Sequence, residues 1–296
     1  MAASVRQKIH NKGHMTGRPF DELLQYYGIE RFLYRLSRSK YKDRIVLKGA
    51  LMFVVWEAPQ SRVTRDIDLL GRFDNTVTNL EKMVQEACQL EVEPDGMIFD
   101  PKSAKSHRIK EDADYAGVRI RFTGTLGKAR VPMQIDVGFG DTIYPEPASI
   151  HYPTLLGMPA PHLKRYPPET VVAEKFQAMT ELEMLNSRLK DFYDLWLLAR
   201  QFNFDGSRLA EAIKATFGKR QTPLMIEPVA FSENFAEDPL KQSQWKALIR
   251  KGRLELAPRE LKEVVPVIRG FLQPIVTAIL DGSPISLSWT APGPWK

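Results

Sequence analysis

The segment Arg65-Asp66-Ile67-Asp68-Leu69-Leu70 alternates two carboxylates with aliphatic side chains. On a β-strand, residues two apart share a face, so Asp66 and Asp68 project together while Ile67 and Leu69 turn into a core. Met133-Gln134-Ile135-Asp136-Val137 repeats the in–out pattern with a single carboxylate, Asp136. If the three acids converge, their repulsion is large: two unit charges about 4 Å apart cost roughly 4 kcal/mol at an effective dielectric of about 20. A cation is then required, and ligands that are all oxygen suit Mg2+ or Mn2+. Taken alone, Asp-x-Asp is common and is usually solvated decoration on an exposed strand.

The segment before it adds weight. Lys48-Gly49-Ala50 closes a strand at Ile45 to Leu47 and opens a helical run through Trp56. A glycine there lets a phosphate approach the backbone, and a helix amino terminus supplies N–H groups and partial positive charge. Thr64 and Arg65 add a hydroxyl and a cation just ahead of Asp66. Lys48, Gly49, Ala50, Thr64 and Arg65 are therefore candidate phosphate-binding residues. Strand, glycine turn, helix, Asp-x-Asp strand and a later third Asp form a constellation far rarer than its parts.

Apolar periodicity predicts a helix over about Phe20 to Ser37 and another over Val77 to Gln89, the second capped by Asn75 or Thr76. Strands are predicted at Val63 to Leu70, His107 to Glu111, Val118 to Thr123 and Val131 to Val137. Tyr144 to Pro168 is dense in proline and reads as a linker or a surface-hugging connection. Helices follow at about Glu169 to Leu182, Arg188 to Gln201, Ser207 to Thr216, Pro239 to Arg250 and Arg259 to Leu280, the last kinked or split at Pro266 and Pro274. The expected fold class is α/β: an α/β core with a mixed sheet over residues 1–165, then a helical domain over 166–296.

Composition bounds the function classes. The first thirty residues place His10, Lys12, His14 and Arg18 where a secretory leader needs an apolar run. The stretches Ile45 to Val55 and Val264 to Leu280 are interrupted by Lys48 and by Pro266, Arg269 and Pro274, which argues against a membrane span. One cysteine, Cys88, excludes an internal disulfide and a Cys-rich zinc site. A cytoplasmic protein is expected. The net charge of +6 is compatible with a polyanionic partner but says nothing about chemistry.

Other motifs fail on their context. Gly124-Thr125-Leu126-Gly127-Lys128-Ala129 lacks the spacing of a P-loop and reads as a hairpin turn, and Gly138-x-Gly140 is denied a following helix by Pro145 and Pro147. The five histidines are scattered, His107 reads as part of a solvated strand face, and Phe192, Tyr193 and Trp196 read as helix core.

Four segments together resemble the AbiEii/AbiGii type of nucleotidyltransferase toxins of type IV toxin–antitoxin systems, within the DNA polymerase β-like nucleotidyltransferase superfamily. Leu47-Lys48-Gly49-Ala50 with Arg62-Val63-Thr64-Arg65-Asp66-Ile67-Asp68-Leu69 is similar to that family's first motif. Gln134 to Asp141 resembles its third-carboxylate strand, Tyr166 to Ala178 its lysine helix, and Asn186 to Leu195 its arginine/aspartate helix. Many members carry Gly-Gly or Gly-Ser where this chain has Gly49-Ala50; alanine keeps the backbone N–H and removes a possible hydroxyl ligand.

The resemblance implies a polymerase β-like core and a catalytic set of Asp66, Asp68, Asp136, Lys175 and Asp191. The three acids would hold Mg2+ or Mn2+, Lys175 would contact the phosphates of an NTP, and Asp191 would sit near it. Asp194, on the same helical face as Asp191, is read either with that site or as an ion-pair partner of Arg188 or Lys190. The implied activity is transfer of a nucleoside monophosphate to RNA, with the 3′ end of tRNA leading, by a toxin that has a separately encoded antitoxin. Arg62, Arg65, Arg188, Lys190, Lys219 and Arg220 are the cations expected to meet such an acceptor. The competing readings are nucleotidylation of a protein, a module that binds NTP or RNA without turnover, and a partner-binding protein.

Overall fold

The computed structural model describes residues 1–58, 64–73, 76–112 and 115–296; Arg62, the predicted strand start at Val63 and the alternative cap Asn75 lie outside these. The chain forms two compact units.

The first unit holds Met1–Glu57, the chain from the second strand to Gly140, and Ala148–Arg165. Its elements are α1 (Ala2–Thr16), α2 (Phe20–Arg38), β1 (Ile45–Lys48), α3 (Leu51–Val55), β2 (Asp66–Gly71), α4 (Val77–Gln89), β3 (Met97–Asp112), β4 (Tyr115–Leu126), β5 (Ala129–Phe139), β6 (Ala148–His151) and β7 (His162–Arg165). The seven strands make one sheet in the order β3-β4-β5-β2-β1-β7-β6. It is mixed: β2 runs parallel to β5 and β1 parallel to β7, while the other neighbours are antiparallel.

Alternation fixes which face is covered. Ile67, Leu69, Ile120, Phe122, Ile135 and Val137 are buried, and α2 and α4 pack against this sheet. Phe32 of α2 meets Phe99 and Phe122 at ring-centroid distances of 5.5 and 4.7 Å. A buried ion pair, Arg35 Nη1 to Asp95 Oδ2 at 2.7 Å, ties α2 to the loop before β3. Thr76 caps α4, its hydroxyl accepting from the Asn79 N–H at 3.3 Å. The segment 124–129 is the β4–β5 hairpin, with Leu126 paired to Ala129 and Gly127 at φ 60°.

The proline-rich segment is not simply a connection. It contains the β6–β7 hairpin, and β7 joins the sheet beside β1 through Val46–Lys164 and Leu47–Arg165. Its prolines flank the strands, where no ladder N–H is needed. The loop between them is tied to α2: the Leu155 N–H donates to Glu30 Oε2 and Arg31 Nη2 donates to the Pro159 carbonyl, both at 2.6 Å.

The second unit takes in Asp141–Pro147 and Tyr166–Lys296. It is helical: α5 (Pro168–Leu182), α6 (Leu189–Gln201), α7 (Gly206–Lys219), α8 (Glu233–Glu237), α9 (Pro239–Gly252) and α10 (Leu261–Leu280), with β8 (Phe204–Asp205) paired to β9 (Ser288–Trp289). Pro266 and Pro274 do not split α10. Both lie on its exposed side, where the carbonyls left without an N–H partner are open to solvent. Among the described residues α10 is the helix long and apolar enough, by length and composition, to cross a membrane. Its apolar stripe, Leu261, Val264, Val265, Ile268, Phe271, Leu272, Ile275 and Val276, is instead buried within the unit, where α10 packs against α6, α7 and α8.

Candidate active site

In the first unit, strand register lines up four charges across four neighbouring strands. Lys48 of β1 stands opposite Asp68 of β2, Asp68 opposite Asp136 of β5, and Asp136 opposite Arg119 of β4. Residues opposite one another project to the same face, about 5 Å apart, so the row reads cation, acid, acid, cation. Two residues along the same face, Asp66 stands opposite Gln134 and Gln134 opposite Arg121. The row exists because β2, β4 and β5 alternate polar with apolar residues in step with one another, while Lys48 ends the wholly buried β1.

Gly49 gives Asp68 its position. It adopts φ 72°, and a Cβ there would fall 2.0 Å from Asp68 Oδ2. The space expected to admit a phosphate thus holds the Asp68 carboxylate. The following helix α3 is only five residues long, so its dipole contributes less than a full-length helix would. Lys48 and Ala50 are buried. Thr64 is buried and its N–H donates to Tyr26 Oη at 3.4 Å, whereas the Arg65 side chain is exposed.

Arg119 is the candidate site residue that motif reading missed. Its Nε donates to Asp136 Oδ1 at 2.8 Å and its Nη2 to Oδ2 at 2.7 Å. That hydrogen bonding raises the guanidinium pKa; burial opposes it, and the charges of Asp136, Asp66 and Asp68 add to it. The signal was present in Val118-Arg119-Ile120-Arg121-Phe122, whose alternation matches that of the Asp-x-Asp strand.

The fit to a metal ion divides between backbone and side chains. Three hard oxygen donors on two adjacent parallel strands suit Mg2+ or Mn2+. Among the described residues, however, no set of three His, Cys, Asp or Glu side chains is disposed to hold one. Asp136 is turned to Arg119, so forming the set requires that guanidinium to give way.

The second unit holds a separate cluster. Lys175 of α5 meets Asp191 Oδ1 at 2.5 Å and Asp194 Oδ2 at 2.9 Å, with side chains 13%, 8% and 1% exposed respectively. Lys175 is not a solvated surface lysine: it forms ion pairs with both Asp191 and Asp194. Phe192, Tyr193 and Trp196 are buried core, as their spacing predicts. Arg220, one of the cations expected to meet an acceptor, has a nearly buried side chain, 3.0 Å from Asp141 and 2.6 Å from Gln177. Lys190 and Lys219 are exposed.

The mixed seven-stranded sheet with a helical carboxy-terminal region is an architecture shared with a solved structure. A candidate nucleotidyltransferase of H. pylori, known as a crystal structure, is similar with a TM-score of 0.50 and 18% identity, covering 88% of this chain and 97% of its own. JHP933 from Helicobacter pylori gives a TM-score of 0.49 at 17% identity, covering 88% of this chain and 94% of its own. No curated protein sequence matches. The family model described as "Nucleotidyl transferase AbiEii toxin, Type IV TA system" matches residues 31–267. The chain belongs to that family.

Proposed function

We propose that this protein is an NTP- and divalent-metal-dependent nucleotidyltransferase that adds a nucleoside monophosphate to the 3′ end of an RNA, with tRNA as the leading acceptor. As a cytoplasmic toxin it would be countered by a separately encoded antitoxin. The observation that carries this reading is the register that sets Asp68 directly opposite Asp136, with Asp66 on the same face. In the reaction the acceptor hydroxyl oxygen bonds to the α-phosphorus of the NTP. The bond to the β-phosphate's bridging oxygen breaks, and pyrophosphate leaves in line. Asp136 lies, by family analogy, closest to the attacking hydroxyl and takes its proton.

Asp66, Asp68 and Asp136 would hold Mg2+ or Mn2+, which when bound lowers the pKa of the acceptor hydroxyl and neutralises charge developing on the phosphates. Gly49 keeps the Asp68 carboxylate against the turn, and Arg119 balances Asp136 until the site is loaded. In this reading Lys175 contacts the NTP phosphates, with Asp191 beside it, supported by their ion pair.

Incubation with labelled NTPs, Mg2+ and total RNA tests the reading. Label on RNA 3′ ends supports it. Label on protein favours nucleotidylation of a protein acceptor, and NTP retention without transfer makes the chain a binding module.

A further inference from the structure

The face of the sheet that bears the carboxylates does not end at Arg119. Register carries it across β4 to β3, where His107 stands opposite Arg119 and Lys105 opposite Arg121. Along β5 the same face runs back from Asp136 through Gln134 and Pro132 to Arg130, which stands opposite Thr125 of β4. Lys105, His107, Arg121 and Arg130 are exposed in the whole chain, and Arg119 is partly so. Arg121 donates from Nε to Gln134 Oε1 at 3.0 Å, which confirms that it lies on the carboxylate side. Against these cations stand Asp100, opposite Thr123, and Asp136 itself. The opposite side of the same three strands is the hydrophobic core, with Ile120, Phe122, Met133 and Ile135.

We infer that this open β3–β4–β5 face, with Lys105, Arg121 and Arg130 at its centre, is the track that holds the phosphates of a single-stranded RNA acceptor and leads its 3′ end to Asp136. The inference rests on the RNA-acceptor reading above and assigns it a surface. Dimensions suit the role: Arg130 precedes Asp136 by six residues, about 20 Å of strand, and β3 lies about 10 Å across from β5. That spans several nucleotides of an extended strand. Cations spread along a flat ribbon contact a backbone without reading bases, and each contact releases counterions from the RNA. Arg119 already reaches from this ribbon to Asp136, so the track is continuous with the carboxylates.

The test compares Lys105→Gln/Arg121→Gln/Arg130→Gln with a matched control that removes three exposed charges from α9, Lys246→Gln/Arg250→Gln/Lys251→Gln. Binding of a 5′-fluorescein single-stranded oligoribonucleotide is followed by anisotropy across a salt series, alongside the melting temperature and the thermal shift produced by NTP with Mg2+. Each single-strand contact contributes about 0.7 to the log–log salt slope, so the track variant should lose about two from that slope and roughly tenfold or more in affinity near 0.15 M salt. The control should lose much less, and the NTP-induced shift should persist in both. Equal losses in both variants, or none in the track variant, would overturn the assignment of this face while leaving the RNA-acceptor reading in place. A wild-type protein that binds no RNA and labels protein instead would overturn both.

Discussion

Arg119 holds both carboxylate oxygens of Asp136, at 2.8 and 2.7 Å, in the same cross-strand row that sets Asp136 opposite Asp68. The guanidinium therefore stands at the third carboxylate of the proposed metal site. A hydrogen bond to a charged group is worth about 1.5–3 kcal/mol, less where solvent reaches the pair. Arg119→Ala should raise the Mn2+ affinity of the nucleotide-free protein by about three- to tenfold, read by a paramagnetic-resonance titration. Unchanged or weaker binding would mean that Asp136 and a cation do not compete for the same oxygens.

Lys175 is set between two buried carboxylates, so its removal has a structural cost as well as a chemical one. Leaving buried charges uncompensated costs about 3–5 kcal/mol, and Lys175→Ala should lower the melting temperature clearly. Adding Asp194→Asn should restore part of that stability. If Lys175 also contacts the NTP, KM for NTP stays raised about tenfold or more in the double variant. Turnover that recovers along with stability would leave Lys175 a purely structural residue.

Gly49→Ala should be damaging in two ways. The new Cβ meets Asp68 Oδ2, and φ 72° is strained for any L side chain, by roughly 1–2 kcal/mol. A lower melting temperature and at least a tenfold loss of transfer are expected. Near-normal transfer would show that Asp68 does not need its place against the turn.

Much of this was legible in the sequence, for a definable reason. Alternation in Asp66–Leu70 and Met133–Val137 reports which side chains share a face, and amphipathic runs report helices such as α4, whose span matches the expected Val77 to Gln89. Partner choice is a property of register, which no single strand encodes. Nothing local says that Arg119 will stand opposite Asp136, or that Lys175, sixteen residues from Asp191, will pair with it. The β6–β7 hairpin was hidden because prolines usually signal loops, and here they bracket short strands. Helix α1 escaped notice because it buries only Val5 and Ile9, too few for an apolar stripe to show.

Glu30 supplies a pH-dependent signature of the first unit. Burial pushes its carboxyl up to about 7, against the opposing pull of the Leu155 N–H and Arg31. A carboxyl whose folded pKa exceeds its unfolded one stabilises the fold below the unfolded value. That contribution is lost as pH rises through the folded value. Wild type should therefore lose stability relative to Glu30→Gln between about pH 4.5 and 7. Melting temperatures of the two proteins across that range check it; parallel curves would mean that Glu30 is ionised throughout.

The account turns on the carboxylate face being the catalytic centre, and Asp68→Asn tests that most directly. Asparagine keeps the shape that packs against Gly49 while removing the charge, so the fold should survive with a melting temperature near that of wild type. Transfer of label from an NTP to RNA should fall about a hundredfold or more, since charge stabilisation at the phosphates is worth several kcal/mol. A folded Asp68→Asn protein that labels RNA at close to the wild-type rate would contradict the account.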